Sequence, residues 1–383
     1  MTNLKYCFVS NYLTHHQLPF CLEMVNSIKG NFYFIETEKL PTERVKMGYE
    51  SLGEKYDFVI NTLKNKQCEE KAKQLVLDAD VLIFGSAPIK YLTWRMKENK
   101  LTFIYSERIF KKRSQDLFRW LKYFSRSFPY RSKPLYYLFS SAYAAGDYKK
   151  CLANEDKMFK WGYFPENVVY DDIDLLIENK NKNSILFAGR LIEWKHPEAV
   201  ISVAKRLRDE RYNFELSVIG NGSMEQKLKE EILKYDLSSN VKMLGAMSPE
   251  NVRSYMEKSE MFLFTSDRNE GWGAVLNESM NSACAVIANK NIGAVPFLMD
   301  NLNCGLTYDG DADELYLQVK WLLDNPADRQ KMAKQAYMKI TSEWNAKNAA
   351  QRLIILSKKL YEGQEPHCFT DGPCSKAVAL QEK

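Results

Sequence analysis

Along most of the chain, short apolar runs alternate with longer stretches in which apolar residues recur every three or four positions. Residues 4–9, 31–36, 80–85 and 101–105 are dense in β-branched and aromatic side chains and read as strands. Stretches near 17–28, 66–77, 89–98 and 113–127 carry the helical period. The second half repeats the style more cleanly. Strands are predicted at 184–188, 214–219, 241–244, 261–264 and 284–288, with helices near 197–209, 223–235, 249–258, 273–283, 311–324 and 327–342. Such alternation argues for parallel strands joined by crossover helices. The polar stretch Asp171–Asn183, with Glu178-Asn179-Lys180-Asn181-Lys182-Asn183, is the best linker candidate. The expected organisation is therefore α/β, with two Rossmann-like domains whose parallel sheets face each other across a cleft. The first covers residues 1–168, a linker 169–183, and the second 184–345. A C-terminal helix, 346–362, can pack back on the first domain, and 363–383 reads as a loose tail.

Composition narrows the class. The 383 residues are 45% hydrophobic and 27% charged, which excludes wholesale disorder. No apolar run approaches the roughly 18–20 residues of a membrane-spanning helix. The first residues enter a strand pattern without a signal peptide's apolar stretch, so the chain is expected to be cytoplasmic, at most peripheral at the inner face of a membrane. Eight cysteines and four histidines form no CxxC pair, and reduced thiols without a structural zinc are expected.

The net charge of +5 is unevenly spread. Between Arg108 and Lys133, nine lysines and arginines face one acid, Asp116. Aromatic residues are interleaved there as far as Tyr148. Such a stretch fits an anionic membrane surface or a lipid diphosphate, the packed side of a Rossmann domain, or, least well, nucleic acid. The expected partners accordingly include a membrane surface met through 108–150 and exclude nucleic acid.

Candidate chemistry lies on loops after strands, where ligands collect in open α/β sheets. Asp267-Arg268-Asn269-Glu270-Gly271-Trp272-Gly273-Ala274 runs from a buried strand into a helix holding Glu278. On one continuous helix Glu270 and Glu278 would stand about 80° apart. They converge only if Glu270 lies on the loop and Glu278 in the helix. Free amides at the start of that helix would face an anion. Gly189-Arg190-Leu191-Ile192-Glu193-Trp194-Lys195 presents a guanidinium and an ammonium on one strand-end loop, the makings of a diphosphate clamp. Taken alone, two solvated cations explain it as well. Ile219-Gly220-Asn221-Gly222 is a weak glycine motif that a tight turn also explains. Asp309, Asp311 and Asp313 resemble a metal cluster but precede a helical pattern, where acids are favoured. No metal site is expected.

In this order, and with Val241-Lys242-Met243-Leu244-Gly245, Ile292-Gly293-Ala294-Val295-Pro296 and Asn303-Cys304-Gly305-Leu306, the chain resembles the family-4 retaining glycosyltransferases of the GT-B fold. The resemblance covers about residues 184–345. It implies a nucleoside-diphosphate sugar as donor, UDP favoured over GDP, and no cofactor. Arg190 and Lys195 would hold the diphosphate, Glu278 the ribose and Glu270 the sugar. Gly189, Gly220, Asn221 and the backbone of Gly271, Trp272, Gly273 and Ala274 would line the donor, with Leu244 near the base. Glu270, Arg190 and Lys195 would act in catalysis. His15, His16 and Glu107 are candidates for the acceptor or sugar side. The implied acceptor is a glycan or a lipid-diphosphate-linked glycan of cell-surface polysaccharide synthesis. A non-catalytic nucleotide-sugar-binding protein on the same fold is the rival. A nicotinamide oxidoreductase would need G-x-G-x-x-G after an early strand, and residues 10–19 contain no glycine. Two departures stand out: that glycine-free loop, which leaves acceptor contacts in the first domain open, and Ala283 where relatives carry glycine, expected to reflect packing.

Overall fold

The computed structural model describes residues 4–42, 51–111, 116–299 and 303–380. The chain forms two compact units: Met1–Glu166 together with Trp344–Lys383, and Asn167–Glu343. The first holds a seven-stranded sheet of β1 (Tyr6–Ser10), β2 (Phe32–Glu36), β3 (Val59–Asn61), β4 (Val81–Phe84), β5 (Thr102–Ser106), β6 (Leu135–Phe139) and β7 (Met158–Lys160). Every pairing is parallel, in the order β3-β2-β1-β4-β5-β6-β7. The second holds β8 (Asn181–Ala188), β9 (Glu215–Ile219), β10 (Val241–Gly245), β11 (Ser259–Phe264), β12 (Ala285–Asn289) and β13 (Leu306–Tyr308). These are also all parallel, in the order β10-β9-β8-β11-β12-β13. Strands buried on both faces read as unbroken apolar runs, which is why Met261–Phe264 and Ala285–Ala288 were legible. Two Rossmann-like sheets are what the alternation predicted.

Three strands of the first sheet escape the sequence pattern. β3 and β7 have only three residues each. β6, Leu135-Tyr136-Tyr137-Leu138-Phe139, lies inside the cationic stretch, where the sequence pattern predicts no strand. Tyr137, Phe139 and Tyr148 are core, and Arg108 is buried 3.8 Å from Asp147. The stretch 108–150 is therefore not a single interaction face; Lys112 and Arg113 lie outside the described residues.

The linker and the tail also differ from expectation. Within 169–183 the chain forms the helix Ile173–Glu178 and enters β8 at Asn181. Lys180 is buried, donating to the carbonyls of Met256, Glu257, Ser259 and Ser282 at 2.8–3.1 Å. Four carbonyl dipoles let a lysine leave water, so polar composition misleads here. The tail is not loose. Lys160 N–H donates to the Ser375 carbonyl at 2.7 Å, and Cys374 and Ala377 N–H donate back to Lys160 and Met158 at 2.8 and 2.9 Å. The tail thus covers the outer edge of β7, whose backbone groups would otherwise be unpaired. The helix Ala346–Tyr361 packs on the helix Leu18–Ile28 within the same unit.

Candidate functional site

In the second sheet the strand order reverses between β8 and β11, so the loops after these two strands flank a switch point. After β8 the chain passes Gly189 and the exposed Arg190, makes one tight turn over Glu193–Lys195, and enters the helix Pro197–Asp209 with proline in its first turn. Trp194 organises this loop. The Arg190 guanidinium lies 5.4 Å, and the Lys195 ammonium 4.7 Å, from the centre of its indole ring. An electron-rich ring near two cations offsets part of their repulsion. Trp194 stands beside Lys195 in the sequence, and this aromatic neighbour was the signal that sequence reasoning missed.

Backbone bonds lace the loops after β8 and β11 together. Asp267 N–H donates to the Trp194 carbonyl at 3.0 Å, and the Thr265 hydroxyl to the Lys195 carbonyl at 2.7 Å. Glu270 lies on the loop and Glu278 inside the helix Val275–Asn281. Glu270 accepts from the Lys195 ammonium and, at 3.1 Å, from the Ser266 hydroxyl; the Lys195 and Glu270 side chains are each 13% exposed. Gly273 has φ +88°, and a Cβ there would stand 2.4 Å from the Phe264 ring. Trp272 is fully buried and donates its indole N–H to Asn277 at 2.8 Å. Its side chain belongs to the core, so only its backbone is available to a ligand.

The weak glycine motif has a definite cause. A Cβ on Gly220, at φ +137°, would fall 1.8 Å from the Gly189 carbonyl oxygen. Leu191 N–H donates to the Asn221 carbonyl at 2.8 Å, and Gly220 N–H to the Gly245 carbonyl at 2.8 Å. Close approach of three strand-end loops, rather than a tight turn alone, demands glycine here. The same contacts bring the loop holding Asn221 beside the end of β10, where Leu244 lies half-buried.

Titratable groups around these loops are perturbed. Hydrogen bonding to Asp267 and then to Glu198 pushes the His196 imidazole up to about 9; its Nδ1 lies 3.0 Å from Glu198 and its Nε2 3.6 Å from Asp267. Burial pushes the Glu278 carboxyl up to about 7, against the pull of Arg253. Asp311, of the suspected metal cluster, caps the helix Ala312–Asp324 by accepting from the N–H groups of Asp313 and Glu314 at 2.8 and 2.9 Å. Lys290 pairs with Asp309 at 2.7 Å, and Arg206 with Asp313.

In the first unit, His15 and His16 occupy the turn between β1 and the helix Leu18–Ile28, their ring centres 3.6 Å apart. His16 stacks on Tyr163 at 5.7 Å. The Tyr163 hydroxyl donates to Glu107, whose other oxygen accepts from Lys111 at 2.6 Å. The three sequence candidates of this unit thus converge through Tyr163, which nothing in the sequence marked. Glu36 was also missed. It is buried at the end of β2, accepts from the Leu13 N–H at 2.9 Å, and so pins the loop that carries the histidines. Burial raises its pKa.

Residues 172–339 match the family model described as "Glycosyl transferases group 1". The amylovoran biosynthesis glycosyltransferase of Erwinia amylovora is 28% identical over 181 residues, 46% of this chain and 44% of that protein. The 2-deoxystreptamine N-acetyl-D-glucosaminyltransferase of Niallia circulans is 26% identical over 196 residues, 51% of this chain and 44% of that protein. The match with these curated relatives thus spans less than half of their length. Among solved structures, Anabaena HepE in complex with UDP-glucose superposes with a TM-score of 0.64 at 14% identity, covering 94% of this chain and 99% of that one. That likeness shows the fold.

Proposed function

We propose, on the match of residues 172–339 to the glycosyl transferases group 1 family, that the chain moves a sugar from a UDP-sugar to a glycan, with retention of configuration and without a metal. The acceptor proposed is a growing or lipid-diphosphate-linked glycan of cell-surface polysaccharide synthesis, in keeping with the amylovoran relative. One observation carries the reading: two cations beside one indole ring, one of them paired with Glu270, at the switch point of a Rossmann-like sheet.

Arg190 offers a planar fork and Lys195 a point charge to the diphosphate. As the glycosidic bond to the donor phosphate breaks, charge grows on the departing oxygens, and cations already in place stabilise it without reorganisation. The following helix has only seven residues, so its dipole adds little and the side-chain cations bear the task. Lys195 exchanges its Glu270 partner for phosphate, which leaves the Glu270 carboxylate to receive sugar hydroxyls. Glu278 takes the ribose. The departing phosphate accepts the acceptor's proton as the new bond forms on the same face of the sugar. His15, His16 and Glu107 serve the acceptor side.

The test combines a thermal-shift screen of UDP, GDP and UDP-sugars with a turnover assay in excess chelator. A ligand at about 100 times its dissociation constant adds roughly 2.7 kcal/mol of stability. Stabilisation by UDP together with sugar transfer in chelator is expected. Stabilisation without turnover on any glycan acceptor would favour a non-catalytic binding protein, and no response to any nucleotide would sink both readings.

A further inference from the structure

The helix Asp116–Ser127 has two apolar faces where one would suffice. At about 100° per residue, Trp120, Tyr123 and Ser127 share one side. This side is packed. Trp120 and Tyr123 border the core of the first unit, the Trp120 indole donates to the Lys150 carbonyl at 2.9 Å, and Tyr123 meets Tyr148 at 5.6 Å. Leu117, Leu121 and Phe118 follow round the helix at about 60°, 100° and 160° from Trp120 and are 71%, 51% and 83% exposed. Lys122 and Arg126 border that second face. Burial, and after it the like charges of Arg126 and Arg119, hold the Lys122 pKa below its ordinary value.

We propose that this helix docks the chain on an anionic phospholipid surface, lying in its plane with Leu117, Phe118 and Leu121 inserted and Lys122 and Arg126 on the headgroups. An apolar stripe edged by cations is matched by acyl chains edged by phosphates. Twelve residues span about 18 Å, short of the roughly 30 Å hydrocarbon core, so the helix lies on the surface and does not cross it. No helix among the described residues is long and apolar enough to cross a membrane. A second copy of the chain is the poorer occupant, because a two-fold contact would bring a second Lys122 and Arg126 to a patch already edged by cations. Nucleic acid offers phosphates but no apolar phase for Leu117 and Leu121.

Flotation of the full chain with phosphatidylcholine vesicles, with and without phosphatidylglycerol, tests this. Wild type should float with the anionic vesicles, and raised salt should weaken the association. Leu117→Ser/Phe118→Ser/Leu121→Ser should bind at least about tenfold less, given the transfer cost of three apolar side chains. Lys122→Glu/Arg126→Glu should lose the preference for phosphatidylglycerol. Circular dichroism melting controls for folding; if the triple variant melts early, Phe118→Ser alone, at the most exposed position, serves in its place. Sugar transfer to a water-soluble acceptor should be unchanged in each variant, which separates this proposal from the donor-site reading. Failure of wild type to float with anionic vesicles would overturn the proposal, as would wild-type flotation by the apolar variant. So would a wild-type dimer that the apolar variant dissolves.

Discussion

Each unit doubles its strand order back beside its first strand, so each has a pair of switch-point loops: after β1 and β4 in the first, after β8 and β11 in the second. The second pair carries two cations, a shared indole and a glutamate, and is laced together by backbone bonds. After β1, the first unit instead has a turn with two histidines, pinned by the buried carboxylate of Glu36. One architecture therefore supports an electrostatic clamp in one unit and a polar, aromatic surface in the other. On the proposed function, a diphosphate presents the same charges in every donor whereas acceptors vary, which would account for the difference between the two edges.

The comparison breaks most readily at the clamp. Each charge-assisted hydrogen bond lost there should cost about 1.5–3 kcal/mol, or roughly 10- to 150-fold in rate. Lys195→Ala and Arg190→Ala should each cripple transfer with an unchanged melting curve. His16→Ala should instead raise the acceptor KM and leave UDP affinity alone. Wild-type turnover in either clamp variant at limiting donor would refute the assignment.

The two glutamates sharpen the contrast. Glu278→Gln should weaken UDP and UDP-sugar by similar factors, on the order of tenfold. Glu270→Gln frees Lys195 from its partner, so UDP should bind as well as before or more tightly while turnover falls and sugar choice blurs. Calorimetric titration of both variants with both ligands decides this, and equal loss of UDP in the two would merge their roles.

Trp194→Leu removes the ring near both cations. At about 0.5–1 kcal/mol for an exposed cation–π contact, donor KM should rise a few-fold, and Trp194→Phe should recover most of the loss. An unchanged KM in the leucine variant would make the indole a bystander.

A smaller effect follows from His196. Its folded pKa, about 9, lies above the ordinary 6.5, so the stability it contributes is complete below about pH 6.5 and is lost as pH rises through 9. Melting temperature should fall over that interval more steeply in wild type than in His196→Gln; parallel curves would show that the imidazolium contributes nothing.

The smallest effect concerns Ala283. The residue has φ +51°, and after the helix Val275–Asn281 it completes a terminal motif in which Ala283 N–H donates to Met280 and Cys284 N–H to Ser279, both at 3.0 Å. The departure from glycine is thus a matter of backbone conformation rather than of packing alone. Ala283→Gly relieves left-handed strain and loses one buried methyl, so stability should change by about 1 kcal/mol or less. A loss well beyond that on denaturant titration would show that the methyl matters more than the backbone.

The second unit was the more legible because its chemistry sits where buried strands end. Glu270, Arg190 and Lys195 each follow an apolar run that could only be a strand. β13, with three residues, has too little pattern to stand out. In the first unit, β6 is apolar but its neighbours are cationic, and composition hid it. Tyr163 and Glu36 gain their roles from partners 56 and 23 positions away, a separation that periodicity cannot reveal. Lys180 misled for the opposite reason: its four carbonyl partners come from remote segments.

The tail that edges β7 also orders events during synthesis. The first unit is discontinuous, so the ribosome delivers the whole second unit before the helix Ala346–Tyr361 and the strand-edging residues emerge. The second unit can close as soon as its own chain is complete. The first must wait with the helix Leu18–Ile28 and the edge of β7 uncovered, and exposed apolar surface and unpaired strand edges favour aggregation.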